Sequence, residues 1–132
     1  MRGTPLASIS IALSLVASSK ASADAQSEGR NFFITNCIGC HAFSCNKEGP
    51  RLGGLFGRSA GSVDDYDGYS DKLKGAGLVW DEATLDLFFQ NPGEWVRGSM
   101  EDFGKIESPE ERSLIIAYLK TEDPSVNLCP ES

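Results

Sequence analysis

Cys37, Cys40 and His41 stand in the run Cys37-Ile38-Gly39-Cys40-His41, two thiols separated by two residues and followed at once by an imidazole. Thiols so spaced can form thioethers to both vinyl groups of one haem, and a histidine directly after the second is placed to ligate the iron from below. The composition narrows the iron's other ligand. His41 is the only histidine in the 132 residues, and Met100 is the only methionine apart from the initiator. Iron held by one imidazole and one thioether is six-coordinate with a raised potential, which suits electron transfer better than activation of a substrate. A sole histidine committed to iron also leaves none for a Ser-His-Asp or Cys-His nucleophile, so no enzyme activity is expected. If Met100 left the iron open, a haem enzyme or gas sensor would be the alternative. Cys-x-x-Cys also serves zinc, and Cys45 and Cys129 bring the cysteines to four. Zinc sites, however, do not require a histidine directly after the second cysteine. A thioredoxin-like site would want a βαβ pattern, which is absent around these residues.

Two thiols must reach one edge of a flat ring, and a helix can deliver them. Phe33, Cys37 and Cys40 at helical spacings predict one over residues 27–40, with Glu28 near its start. Gly29, four residues before Phe33, is a side-chain-free position where another helix can approach closely. Residues 42–77 are glycine-rich and weakly periodic. So long an irregular stretch suits a compact domain only where loops wrap a large apolar disc that supplies the missing core. Leu52, Leu55 and Phe56 are its expected apolar contacts, and a short helix is predicted near residues 70–74. Asp81 is the N-cap of a helix that ends at Gln90, before Asn91-Pro92 forbids continuation, with Leu85, Leu87, Phe88 and Phe89 expected on one side. A loop over residues 92–106 carries Met100. Ser108-Pro109-Glu110-Glu111 then opens a last helix running to about Thr121, with Leu114, Ile115, Tyr118 and Leu119 as its buried face. No segment reads as a strand, and the fold class is all-α.

Residues 1–23 read as a secretory signal peptide: Arg2 supplies the charge, residues 6–17 a short apolar run, and Ala21-Ser22-Ala23 the cleavage site. The run is too short and too rich in serine to span a bilayer, so no stable membrane insertion is expected. Residues 24–132 form one domain, with ten basic residues against nineteen acidic ones, a net charge of −9. Such acidity argues against nucleic acid and favours a redox protein partner with a basic docking surface. Alternatively, it only keeps a secreted monomer soluble.

Residues 29–120 resemble the small monohaem cytochromes c, in particular the mitochondrial type and its bacterial periplasmic relatives. The resemblance rests, in order, on Gly29, Phe33, Cys37-x-x-Cys40-His41, Gly49-Pro50-x-Leu52, Gly57-Arg58, Tyr69-Ser70, Trp80, Asn91-Pro92, Met100 and Ile116-Ala117-Tyr118-Leu119-Lys120. It implies three main helices plus a short one, wrapped with loops around one covalent haem c. It also implies a soluble periplasmic electron carrier between a dehydrogenase or quinol-oxidising complex and an oxidase or photosynthetic acceptor. By the same resemblance the carbonyl of Pro50 orients the ring of His41. Arg58, Tyr69, Ser70 and Trp80 are donors around the haem propionates, and Gly29 and Phe33 cross the last helix against Ile115, Tyr118 and Leu119. The chain departs from the family at Phe88, where a tyrosine commonly reaches towards the methionine sulfur. Met100 also lies closer to Pro92 than usual, and Glu94, Glu101 and Asp102 stand where many relatives carry lysines. A disulfide between Cys45 and Cys129 is expected as well. Export permits oxidation, and the resemblance places the segment after His41 near the far end of the last helix, so a short tail can bring the Cα atoms within about 4.4–6.8 Å. Two unpaired thiols are the alternative.

Overall fold

A Cβ built on Gly29 would lie 2.6 Å from the carbonyl oxygen of Leu114 and 2.8 Å from the Cβ of Tyr118. Only glycine therefore lets the first and last helices meet this closely. These are α1 (Leu13–Asn36) and α4 (Pro109–Leu119) of a computed structural model that describes residues 2–5, 13–96 and 104–131, the side chains of 13–17 excepted. Phe33 is fully buried at the crossing, its ring centroid 5.5 Å from those of both Phe43 and Tyr118. Leu55, Trp80, Leu85, Ile106, Ile115, Leu119 and Val126 extend this core, so loop, helix and tail residues all contribute to one cluster.

Each of the other helices begins where a side chain caps it. The hydroxyl of Ser70 accepts from the Leu73 N–H at 3.0 Å to start α2 (Asp71–Lys74). Asp81 and Thr84 bond each other's backbone N–H, both at 2.8 Å, to start α3 (Glu82–Gln90), and Ser108 accepts from the Glu111 N–H at the head of α4. Such reciprocal bonds satisfy N–H groups that the helix itself cannot. Pro92, which stops α3, opens a 3₁₀ turn (Pro92–Glu94) in place of the plain loop expected there. Among the described residues the extended pairing is one isolated antiparallel bridge, Ser59 to Val79, and the fold is all-α.

Some boundaries and faces differ from the sequence expectation. The first helix ends at Asn36 rather than at Cys40. The carbonyl of Phe33 accepts from both Cys37 and Ile38, at 2.8 and 3.1 Å, the second bond spanning five residues and closing the helix, and that of Cys37 accepts from both Cys40 and His41, at 3.1 and 2.9 Å, so the chain turns over the motif. Upstream, α1 reaches back to Leu13, and residues 18–24 are exposed. Leu87 is 59% exposed, because steps of about 100° put it nearly opposite the buried Leu85. In α4 Ile116 is buried and Leu114 only half so. Arg112, not singled out in the sequence, is buried there: it donates to Asp86 of α3 at 2.7 Å and to the carbonyls of Ile106 and Glu107 at 2.9 Å. The tail after α4 folds back, and Cys129 is joined to Cys45 with Cα atoms 5.9 Å apart. Among the described residues no helix is long and apolar enough to cross a membrane.

Candidate haem site

His41 closes the turn over the motif, and its Nδ1 lies 2.9 Å from the carbonyl oxygen of Pro50. A carbonyl only accepts, so Nδ1 carries the proton and Nε2 keeps a lone pair available to a metal. Burial pushes the ring's pKa below its ordinary value, against the Pro50 bond and with the Lys47 charge, which keeps the imidazole neutral. No side chain fits beside it: a Cβ on Gly49 would lie 2.2 Å from the ring's Cε1. The Gly49 N–H donates to the carbonyl of Cys40 at 2.9 Å and the ammonium of Lys47 to that of Ile38 at 2.6 Å, folding residues 47–50 over the motif. Cys37 and Cys40 are unpaired and half-buried. Burial, helped by the charge at Cys40, pushes the Cys37 thiol up to about 12, so it is held as the thiol.

The four residues implied as propionate donors are differently engaged. Arg58 donates through its terminal nitrogens to the carbonyls of Gly53 at 3.0 Å and Arg51 at 2.9 Å, while its Nε is buried without a partner. A buried guanidinium N–H left over in this way is suited to a carboxylate. The hydroxyl of Tyr69 accepts from the Val63 N–H at 3.3 Å and keeps its own proton to donate. Ser70, by contrast, is already used twice, capping α2 and donating to the carbonyl of Trp95. Trp80 is buried, edge-on to Phe88 at 5.4 Å between centroids. Met100, the expected distal ligand, lies outside the described residues, as do Glu101 and Asp102.

Two further residues matter here. Gly49 enters the sequence reading only within the Gly49-Pro50 motif, and its role against the imidazole has no local signal. Tyr66 donates to the carbonyl of Glu48 at 2.5 Å and stands edge-on to Tyr69 at 4.8 Å, bracing the loop from outside. The residues present suit haem c: two unpaired thiols and an oriented neutral imidazole within five positions, and an orphaned buried donor on Arg58.

Helices packed around loops that present this constellation define a c-type haem protein. The profile of the cytochrome c family matches residues 26–123. Cytochrome c of Cochliobolus lunatus is 39% identical over 98 residues, covering 72% of this chain and 90% of that protein, and that of Arabidopsis thaliana is 39% identical with 87% of its length covered. The structure of cytochrome cH from Methylobacterium extorquens superposes with a TM-score of 0.64 at 40% identity, covering 73% of this chain and 97% of the other. The chain belongs to the cytochrome c family, binds one haem c covalently through cysteines, and is an electron-transfer protein.

Proposed function

We propose that this chain is a soluble, monomeric one-electron carrier exported to the periplasm, with haem c attached at Cys37 and Cys40 and its iron held by His41 and Met100. The observation that carries the reading is the 2.9 Å bond from His41 Nδ1 to Pro50, which leaves Nε2 oriented for a metal. Haem c supplies an iron that alternates between ferrous and ferric. Pro50 keeps one tautomer of the imidazole in both states. Arg58, through its orphaned Nε, and Tyr69, through its hydroxyl, would donate to the propionates, with Trp80 as a further donor, while the Ser70 proton is engaged by the Trp95 carbonyl. Buried Leu55 and Trp80 keep water away, which is one of the levers that raise a haem potential.

Export is supported by the signal-like pattern of residues 1–23 and by the exposure of residues 18–24, upstream of the packing that begins at Gly29. The Cys45–Cys129 bridge belongs to the same reading, since oxidising compartments preserve such bonds. A net charge of −9 over residues 24–132 fits partners with basic docking surfaces, met in brief, small encounters through the haem edge near the thioethers. The donor is a quinol-oxidising complex or a dehydrogenase, and the acceptor an oxidase or a photosynthetic centre. The visible spectrum of the purified holoprotein tests the proposal. Sharp split reduced bands and a sulfur–iron band support it, and both should change in Met100→Ala. A high-spin spectrum would instead indicate an open iron, and absence of haem absorbance a zinc module.

A further inference from the structure

The loop that brings Pro50 to His41 is zipped at its base, where Leu52 N–H bonds the carbonyl of Ala42 at 2.9 Å and Gly53 N–H that of Phe43 at 2.8 Å. Just beyond this zip, on both sides, the loop is held by the tail that follows α4. On one side the Glu122 carboxylate accepts from the Gly54 N–H. On the other, Asn127 accepts from the Ser44 N–H at 3.1 Å and donates to its hydroxyl at 2.6 Å, and Cys129 is joined to Cys45. The tail is itself anchored. Val126 is buried in the core, and Asp123 accepts from Arg30 of α1 at 3.3 Å and from Tyr118 of α4 at 3.2 Å. Glu122 holds a φ of +47°, a left-handed conformation that non-glycine residues rarely adopt, and its bond to Gly54 gives a reason for keeping it.

We propose that residues 122–129 are a strap that positions the proximal imidazole. By clamping both ends of the Pro50 loop the strap fixes the carbonyl against His41 Nδ1 and so sets how strongly that bond makes the ring donate to iron. Glu122, Asn127 and the Cys45–Cys129 pair are positioning residues, since none of them touches the ring. The inference rests on the reading of His41 as the iron ligand. A stronger Nδ1–H bond raises the basicity of the ligand and favours ferric iron, so loosening the strap should raise the reduction potential.

The test uses the holoprotein in three forms besides the unaltered one: Cys45→Ser with Cys129→Ser, Glu122→Ala, and Glu122→Gln, which keeps a carbonyl acceptor. Two quantities are read, the reduction potential and the exchange rate of the His41 ring N–H by NMR. The first two variants should show a raised potential and ring N–H exchange roughly tenfold faster, while Glu122→Gln stays close to the unaltered protein. Unchanged potential and exchange in the first two would overturn the strap, as would equal perturbation by Gln and Ala. If the double cysteine variant does not retain haem, the Glu122 pair decides alone. Failure of the ligand reading would appear separately, as loss of the low-spin spectrum in the unaltered protein.

Discussion

A methyl group at position 49 would overlap the imidazole, 2.2 Å from its Cε1, and the ring cannot swing away without giving up its Nδ1 bond to Pro50. Gly49→Ala should therefore lower the stability of the holoprotein by about 1–3 kcal/mol, the range for overpacking a tight site, read from urea unfolding. Replacement of the neighbouring but uncrowded Gly39 should cost less, since no atom lies within 4 Å of a Cβ there. The motif itself was legible because its chemistry is local, five consecutive residues. The Pro50 contact spans nine positions and was legible only through resemblance to a family. The contacts of Gly49 and Tyr66 were not legible, since what these residues meet is decided by how residues 42–54 fold back.

At the scale of elements, Gly29→Ala sets two effects against each other. Alanine favours a helix over glycine by ~1 kcal/mol, but its Cβ would meet the Leu114 carbonyl at 2.6 Å, a backbone atom that no rotamer can move aside. Steric conflict should win, with a net loss of about 1–2 kcal/mol and a lower Tm by calorimetry. Arg112 works in the opposite sense, by supplying what the backbone lacks. Arg112→Leu leaves the carbonyls of Ile106 and Glu107 without this donor and should cost roughly 2–4 kcal/mol in denaturant unfolding. Helix starts at residues 70, 81 and 108 were readable because capping is decided within four residues. The end of α1 was not, because periodicity registers Cys37 and Cys40 as helical while the sharing of two carbonyls turns the chain out of the helix. Leu87 shows the same limit: composition grouped it with Leu85, and angular position separated them.

For the whole molecule, titration sets the conditions under which these contacts hold. Four carboxylates are held below their ordinary range: Asp65 chiefly by the Arg51 side chain, Asp81 by the Thr84 N–H, Asp86 by Arg112 and Asp123 by the Ser125 hydroxyl. A group whose pKa is lower in the folded state adds stability above its unfolded value, so stability should fall as pH drops below about 4. Tyr118 acts at the other end. Burial, with the charge of Asp123, pushes it up to about 12, so its contribution is present below about 10 and lost as pH rises through 12. Chemical unfolding across both ranges checks the two limbs, and Asp123→Asn should flatten the acid one. The Cys45–Cys129 bond, 84 positions apart in sequence, has a topological consequence of a different kind. Everything between those cysteines is a closed ring, including residues 64–68, where Asp64, Asp65, Asp67 and Gly68 are exposed and Tyr66 alone is turned inward. A protease that nicks the chain there opens the ring without releasing a fragment. The nicked protein should run as one band on a denaturing gel and separate into two pieces only after reduction.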